Sequence, residues 1–181
     1  MENKEPIKIK LPRVRLSFPS LFQKAQFNGK ETKYEATFLL DKVKHKAQID
    51  EIAAHMQGLI KSELKGAKLT PDKLCMRDGD MVEYDGYEGC MSFKASSNKR
   101  PLVINRADKS PITEDDNIVY AGCYVNAIVS LWAQDNEYGK RINGTLMGVE
   151  FVADGEPFSS GAGVDADDFN DFDDDDDDLP F

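Results

Sequence analysis

The chain has 181 residues, 40% hydrophobic and 31% charged, which suits one folded domain with an appendage. No apolar run approaches the length of a membrane span, and Met1 to Pro12 alternates Lys with apolar residues, so neither a transmembrane helix nor a secretory signal is expected. The net charge is −10, yet residues 154–181 hold 12 of the 33 acids and no Lys or Arg, which leaves residues 1–153 mildly basic at 21 acids against 23 bases.

Residues 7–18 alternate apolar and basic: Ile7, Ile9 and Leu11 against Lys8 and Lys10, then Val14, Leu16 and Phe18 after a break at Pro12. Period-two patterning predicts a half-buried strand with a bend at the proline. Phe27-Asn28-Gly29-Lys30 reads as a turn, and residues 33–40 as a second strand with Tyr34, Ala36, Phe38 and Leu40 on one face. Over 43–65 the period becomes helical, through Ile49, Ile52, Ala53, Met56, Leu59 and Ile60. Asp41 is the expected N-cap and Gly66 the expected stop. This amphipathic helix should pack on a sheet.

Residues 66–88 are rich in turn signals and read as loop. Residues 89–97 form a strand with Met91, Phe93 and Ala95 on one face, and 101–106 a short strand joined to it as a hairpin through Asn98-Lys99-Arg100. Two long strands follow, 119–133 and 141–152, joined by Asp135-Asn136-Glu137-Tyr138-Gly139 as a hairpin. The first places Val125, Ala127, Val129 and Leu131 on one side and Tyr124, Asn126, Ile128, Ser130 and Trp132 on the other. From Asp154 onward Gly, Ser and Asp dominate, and residues 154–181 are expected to be disordered. The expected fold is therefore mainly β: an antiparallel, OB-fold-like Greek-key barrel of about six strands, closed or partly open, with one inserted α-helix, a form that avoids exposed edges.

Little in the sequence points to catalysis. His45 and His55 lack a second ligand at metal spacing. No phosphate-binding glycine loop precedes a helix, and no nucleophile elbow occurs. Asp78, Asp80, Glu83, Asp85 and Glu88 form the one acidic cluster of the body. Such carboxylates could hold Mg²⁺ in a nuclease, but they flank Gly79, Gly86 and Gly89 and read more simply as a solvated turn. No cofactor or metal is expected. Cys75, Cys90 and Cys123, an odd and widely spaced set, argue against a disulfide framework and for a reducing compartment.

Basic and aromatic residues are interleaved along the strands. Lys94, Lys99, Arg100 and Arg106 surround the expected 89–106 hairpin, and Lys140 and Arg141 lie beside Tyr138. Cations track a phosphate backbone while flat rings stack on unpaired bases. Phe93 reads as core. Trp132, on a semi-polar face, reads equally as core or as a stacking residue, and Tyr124 shares that face. At the C-terminus six Asp precede Leu179-Pro180-Phe181. An aromatic residue beside a terminal carboxylate suits an apolar pocket with a basic rim.

The tip Asp176-Asp177-Asp178-Leu179-Pro180-Phe181 resembles the acidic terminus of bacterial single-stranded DNA-binding proteins. The body resembles instead a family of bacteriophage single-stranded DNA-binding proteins with an OB-type barrel. The matching stretches are Asp78-Gly79-Asp80, Tyr84-Asp85-Gly86-Tyr87-Glu88-Gly89, Ala95-Ser96-Ser97 with Arg100-Pro101, Tyr120 to Ala127, Tyr138 to Asn143, and Gly148-Val149. The resemblance implies an OB-fold DNA-binding domain over 1–153 and a protein-interaction tail over 154–181. It implies sequence-independent binding of single-stranded DNA in phage replication or recombination, in the cytoplasm of a bacterial host. The expected protein partners, reached through the tip, are a polymerase, helicase, primase, nuclease or recombinase, and a homo-oligomer is possible on this reading. The candidate DNA contacts are Lys94, Lys99, Arg100, Arg106, Tyr124, Trp132, Lys140 and Arg141. The alternative is a metal-dependent nuclease using Asp78, Asp80, Glu83 and Asp85.

Overall fold

The computed structural model describes residues 7–158. The acidic tip falls outside them. The strands are β1 (Lys8–Ser20), β2 (Gln26–Phe27), β3 (Lys30–Glu31), β4 (Tyr34–Asp41), β5 (Met76–Asp78), β6 (Cys90–Ser97), β7 (Leu102–Asn105), β8 (Tyr124–Asn136) and β9 (Gly139–Ala153), and the helix is α1 (Lys46–Glu63).

β1 lies between β4 and β8, β4 pairs with β6, and β8 with β9, all antiparallel. A parallel pairing of β6 with β9, at Ala95–Gly144 and Ser96–Thr145, closes the barrel β1-β4-β6-β9-β8. This is the five-stranded OB barrel, with α1 inserted between its second and third strands. The expected architecture is present, with one difference in detail: the closure is parallel. Gly144 permits that closure. A Cβ there would stand 2.8 Å from the Lys94 carbonyl oxygen and 2.8 Å from the Phe93 ring, inside any real contact distance. The barrel interior is filled by Ile9, Leu11, Val14, Leu16, Phe38, Leu40, Phe93, Val125, Val129 and Ile142, each fully buried. Phe38 and Phe93 face each other across β4 and β6, and truncating either to Ala should cost about 3–5 kcal/mol.

Several local expectations change. Pro12 does mark a bend: the β1–β8 register slips between Leu11 and Val14, and Arg13 takes φ 46°. A second slip, between Ser17 and Ser20, was not expected; there Phe18 takes φ 45° and leaves the buried face. Asp41 is not the N-cap of α1. It accepts the amides of Val43 and Lys44 at 2.9 Å in a turn just before the helix, and His45 holds the cap position. The helix stops as expected, with Gly66 at φ +71° donating to the Ile60 carbonyl, and α1 buries Ile52, Met56 and Ile60. Residues 66–88 contain the short strand β5, paired with β6. The 89–106 hairpin does not form: β7 runs parallel to β9 and has no ladder with β6.

The body also continues past Ala153. Residues 154–158 pack against it. Tyr120 Oη donates to the Gly155 carbonyl at 2.9 Å and accepts the Gly155 amide at 3.0 Å. The Arg15 guanidinium lies 4.0 Å from the Phe158 ring centre. Gly86, at φ +81°, lets Phe158 approach so closely that a Cβ would stand 2.2 Å from the ring.

Candidate nucleic-acid interface

The outer face of β4 and β6 alternates with the core. Thr37, Ser92, Lys94 and Ser96 point outward where Phe38, Phe93 and Ala95 point inward. Beside this face lies a groove of about 370 Å³. One wall is Thr32 and Lys33, just past the β2–β3 turn. The other is Arg141 and Asn143, at the base of the β8–β9 hairpin. Lys73, Arg77 and Lys94 complete its cations, so five basic side chains stand against two carboxylates, Glu35 and Asp72. The pairs within it are loose, at 3.6 Å for both Lys94–Glu35 and Lys73–Asp72, and among the described residues three of the five cations have no carboxylate partner within the groove. Arg77 is oriented by its Nε, which donates to the Leu74 carbonyl at 3.0 Å, and by a second guanidinium nitrogen on the Asp72 carbonyl at 2.8 Å.

Of the residues singled out in the sequence, Lys94 and Arg141 line this groove. Trp132 is opposite Asn143 on the outer face of β8 and is 43% exposed, so it is not core. Lys140 and the exposed Tyr138 lie at the tip of the adjoining hairpin. The others fall elsewhere. Tyr124 is at the far end of β8, opposite Arg15 and beneath the Arg13 guanidinium at 5.5 Å. Arg106 follows β7, with its amide on the Phe151 carbonyl, at the end of β9 remote from the hairpin. Lys99 and Arg100 follow β6, with Arg100 above the Phe22 ring at 6.0 Å. Because β6 and β7 do not form a hairpin, Arg106 is not gathered with Lys94. Lys33, Lys73 and Arg77 escaped notice: they lie in a loop, in the single 3-10 turn Pro71–Lys73 and in a three-residue strand, and only the Arg77–Ser92 pairing carries Arg77 to the groove.

The acidic cluster has a structural role. The Lys42 ammonium bonds Asp78 at 2.7 Å and Asp80 at 2.6 Å. Asp78 also accepts the Asp80 amide, and Asp80 the Gly89 amide at 2.8 Å. Hydrogen bonds from Lys42 hold both carboxyls below the usual range, and both carboxylates hold Lys42 above its own. An ammonium group thus stands between Asp78 and Asp80. No group of three or more His, Cys, Asp or Glu side chains suited to a metal occurs among the described residues. These contacts instead tie down the loop 79–89, whose buried Tyr87 bonds the Ser17 hydroxyl at 2.9 Å.

The family model described as the ssDNA-binding protein of Enterobacter phage Enc34 matches residues 7–180. The chain belongs to the Enc34 single-stranded DNA-binding protein family. A relative, protein p50 of Acyrthosiphon pisum secondary endosymbiont phage 1, is 40% identical over 175 residues, covering 91% of this chain and 94% of its own. The single-stranded DNA-binding protein of bacteriophage Enc34 in complex with ssDNA superposes with a TM-score of 0.75 at 31% identity, over 84% of this chain and 89% of that one. The same Enc34 protein in a second structure gives a TM-score of 0.75 at 34% identity, over 91% and 90%. The single-stranded DNA-binding protein gp2.5 of bacteriophage T7 shares the fold alone, with a TM-score of 0.53 at 14% identity, over 91% and 99%. The Enc34 family relationship agrees with the barrel and with the resemblance read from residues 78–149.

Proposed function

We propose that the chain binds single-stranded DNA without regard to sequence, on the outer barrel face between its two hairpins, as a binding protein rather than an enzyme. The observation that carries the reading is the five-to-two excess of cations over carboxylates in that groove. It lies on the strand face and beside the loops where OB-folds take oligonucleotides. Lys94 and Arg141 meet phosphates, with Lys140 at the hairpin, and Trp132 stacks on a base. The complex of the Enc34 relative with ssDNA supports the same ligand. Coating the strand would protect it in replication or recombination, and the tip Asp176–Phe181 would recruit partner proteins, Phe181 as anchor and the Asp run as long-range attraction to a basic surface.

The test is a titration of the full chain with oligo-dT and with a duplex of equal length, at two salt concentrations. Preference for the single strand and a steep loss of affinity with salt are expected. Equal affinity for both strands would overturn the reading. Deleting Leu179, Pro180 and Phe181 removes no side-chain charge, so it should abolish partner capture and leave oligo-dT affinity nearly unchanged. Partner binding that survives this deletion would remove Phe181 as the anchor.

A further inference from the structure

Alternation in β1 assigns Phe18 to the buried side with Val14 and Leu16. The backbone refuses that assignment. At φ 45°, across the slip between Ser17 and Ser20, the ring swings out and is 58% exposed. Positive φ is a costly state for a bulky side chain, and strain of this kind gathers at functional sites. Tyr84, itself 54% exposed, meets Phe18 edge-on, with ring centres 5.3 Å apart and planes at 75°. An edge-to-face pair leaves a flat ring surface open to a third ring.

We infer that Phe18 and Tyr84 form a stacking platform for an unpaired nucleobase, at the end of the cationic groove and continuous with it. The inference rests on the DNA-binding reading above. Continuity comes from shared walls: the depression of about 330 Å³ holding Phe18 and Tyr84 is also lined by Arg77 and Lys94, which line the groove. A strand whose phosphates lie on Arg77 and Lys94 would therefore bring a base over the exposed rings. The platform is pre-organised. Tyr84 rests on the Tyr87 ring at 5.2 Å, Tyr87 is held by Ser17, and the base of the loop is pinned by Lys42 through Asp78 and Asp80. The acidic cluster thus serves binding indirectly, by fixing the loop that presents Tyr84. Stacking accepts any base, which suits a protein that does not select sequence.

The test compares labelled oligo-dT with an abasic strand of equal length, titrated into the full chain at fixed salt. Tyr84→Ala should weaken oligo-dT binding by roughly 5- to 150-fold, the range for losing one base–aromatic stack. It should affect the abasic strand far less and leave the salt slope unchanged. Tyr84→Phe should bind as the unaltered chain does. Phe18→Leu keeps the apolar bulk but loses the flat face, and should shift binding in the same direction as Tyr84→Ala. If both variants melt normally and bind oligo-dT at full strength, or lose both strands equally, the platform is wrong while the groove stands. An unaltered chain that binds neither strand overturns the groove and the platform together.

Discussion

Two cavities on this barrel differ in the sign of their charge. The groove between the hairpins has five cations and two carboxylates. The cleft between β1 and the 79–89 loop is larger, about 1070 Å³, yet lines Arg13, Arg15 and Lys44 with five carboxylates, Asp41, Asp80, Glu83, Asp85 and Glu88, and Tyr84 stands at its edge, lining both this cleft and the depression that continues the groove. Its arginines make contacts of their own, as Arg77 does in the groove. Arg15 donates to the carbonyls of Gly122 and Glu156 and covers Phe158, while Arg13 covers Tyr124. Volume alone would favour the cleft; the proposed groove has the potential that suits a polyanion, which responds to the charge it meets along its path. The same comparison shows how a chain of net charge −10 presents a positive groove.

The largest effect that would break this contrast comes from reversing charge. Lys94→Glu with Arg141→Glu should weaken oligo-dT binding on the order of a hundredfold at low salt, while Lys44→Glu in the cleft should leave it nearly unchanged. Comparable losses at the two places, measured by anisotropy, would erase the distinction. Trp132→Ala comes next, at about 1–3 kcal/mol of binding energy, with the indole emission of the unaltered chain changing on addition of oligo-dT. A silent emission and full affinity would return Trp132 to a surface role.

A smaller effect is expected from truncation after Phe158, which keeps the contacts to Tyr120 and Arg15 but removes most of the acidic tail. Oligo-dT affinity should rise a few-fold at low salt, and the gain should vanish as salt screens the charge. A fall in affinity would mean that the tail does not compete with the strand. The smallest effect concerns the loop itself. Asp78 and Asp80 titrate below their ordinary value because of Lys42. Their contribution to loop stability is therefore fully present above the unfolded carboxyl range, about pH 4, and is lost as pH falls through their lowered values. Amide exchange over 79–89 should be flat from pH 8 to 5, after correction for intrinsic rates, and should accelerate only in stronger acid. Lys42→Met should accelerate it already at neutral pH, and unchanged exchange in that variant would assign the hold to Tyr87 and Ser17.

Much of the barrel was legible because burial imposes a period. The interior residues of β4, β8 and α1 follow from alternation or from helical spacing, and Pro12 announced its bend. What escaped depends on partners distant in the chain. β5 has three residues, too few for a pattern, and exists because Met76 meets Phe93. β7 looked like the second arm of a hairpin, but parallel pairing with β9 satisfies it from another part of the chain. The groove of the proposal was legible in part. Lys94, Arg141 and Trp132 lie on strands whose faces could be read. Arg106 and Tyr124 lie away from the groove, because the 89–106 hairpin does not form and β8 is long. Phe18 obeyed its period on paper and broke it in space, since nothing local in Ser17-Phe18-Pro19-Ser20 announces a left-handed backbone.

The pairing of Lys8 with Ser130 and of Leu11 with Ala127 also governs how the barrel is born. As the chain leaves the ribosome, β1 presents Ile9, Leu11, Val14 and Leu16 with no β8 to cover them until most of the body has been made. The β8–β9 ladder can zip at once from its two-residue turn, but the seam between β1 and β8 must close one of the longest loops in the molecule. Pairings this non-local put such a barrel among the slow folders, in the millisecond-to-second range of all-β domains. Until the seam closes, the first strand is an adhesive edge, and its interrupting lysines and Pro12 are the features that keep two nascent copies from pairing with each other.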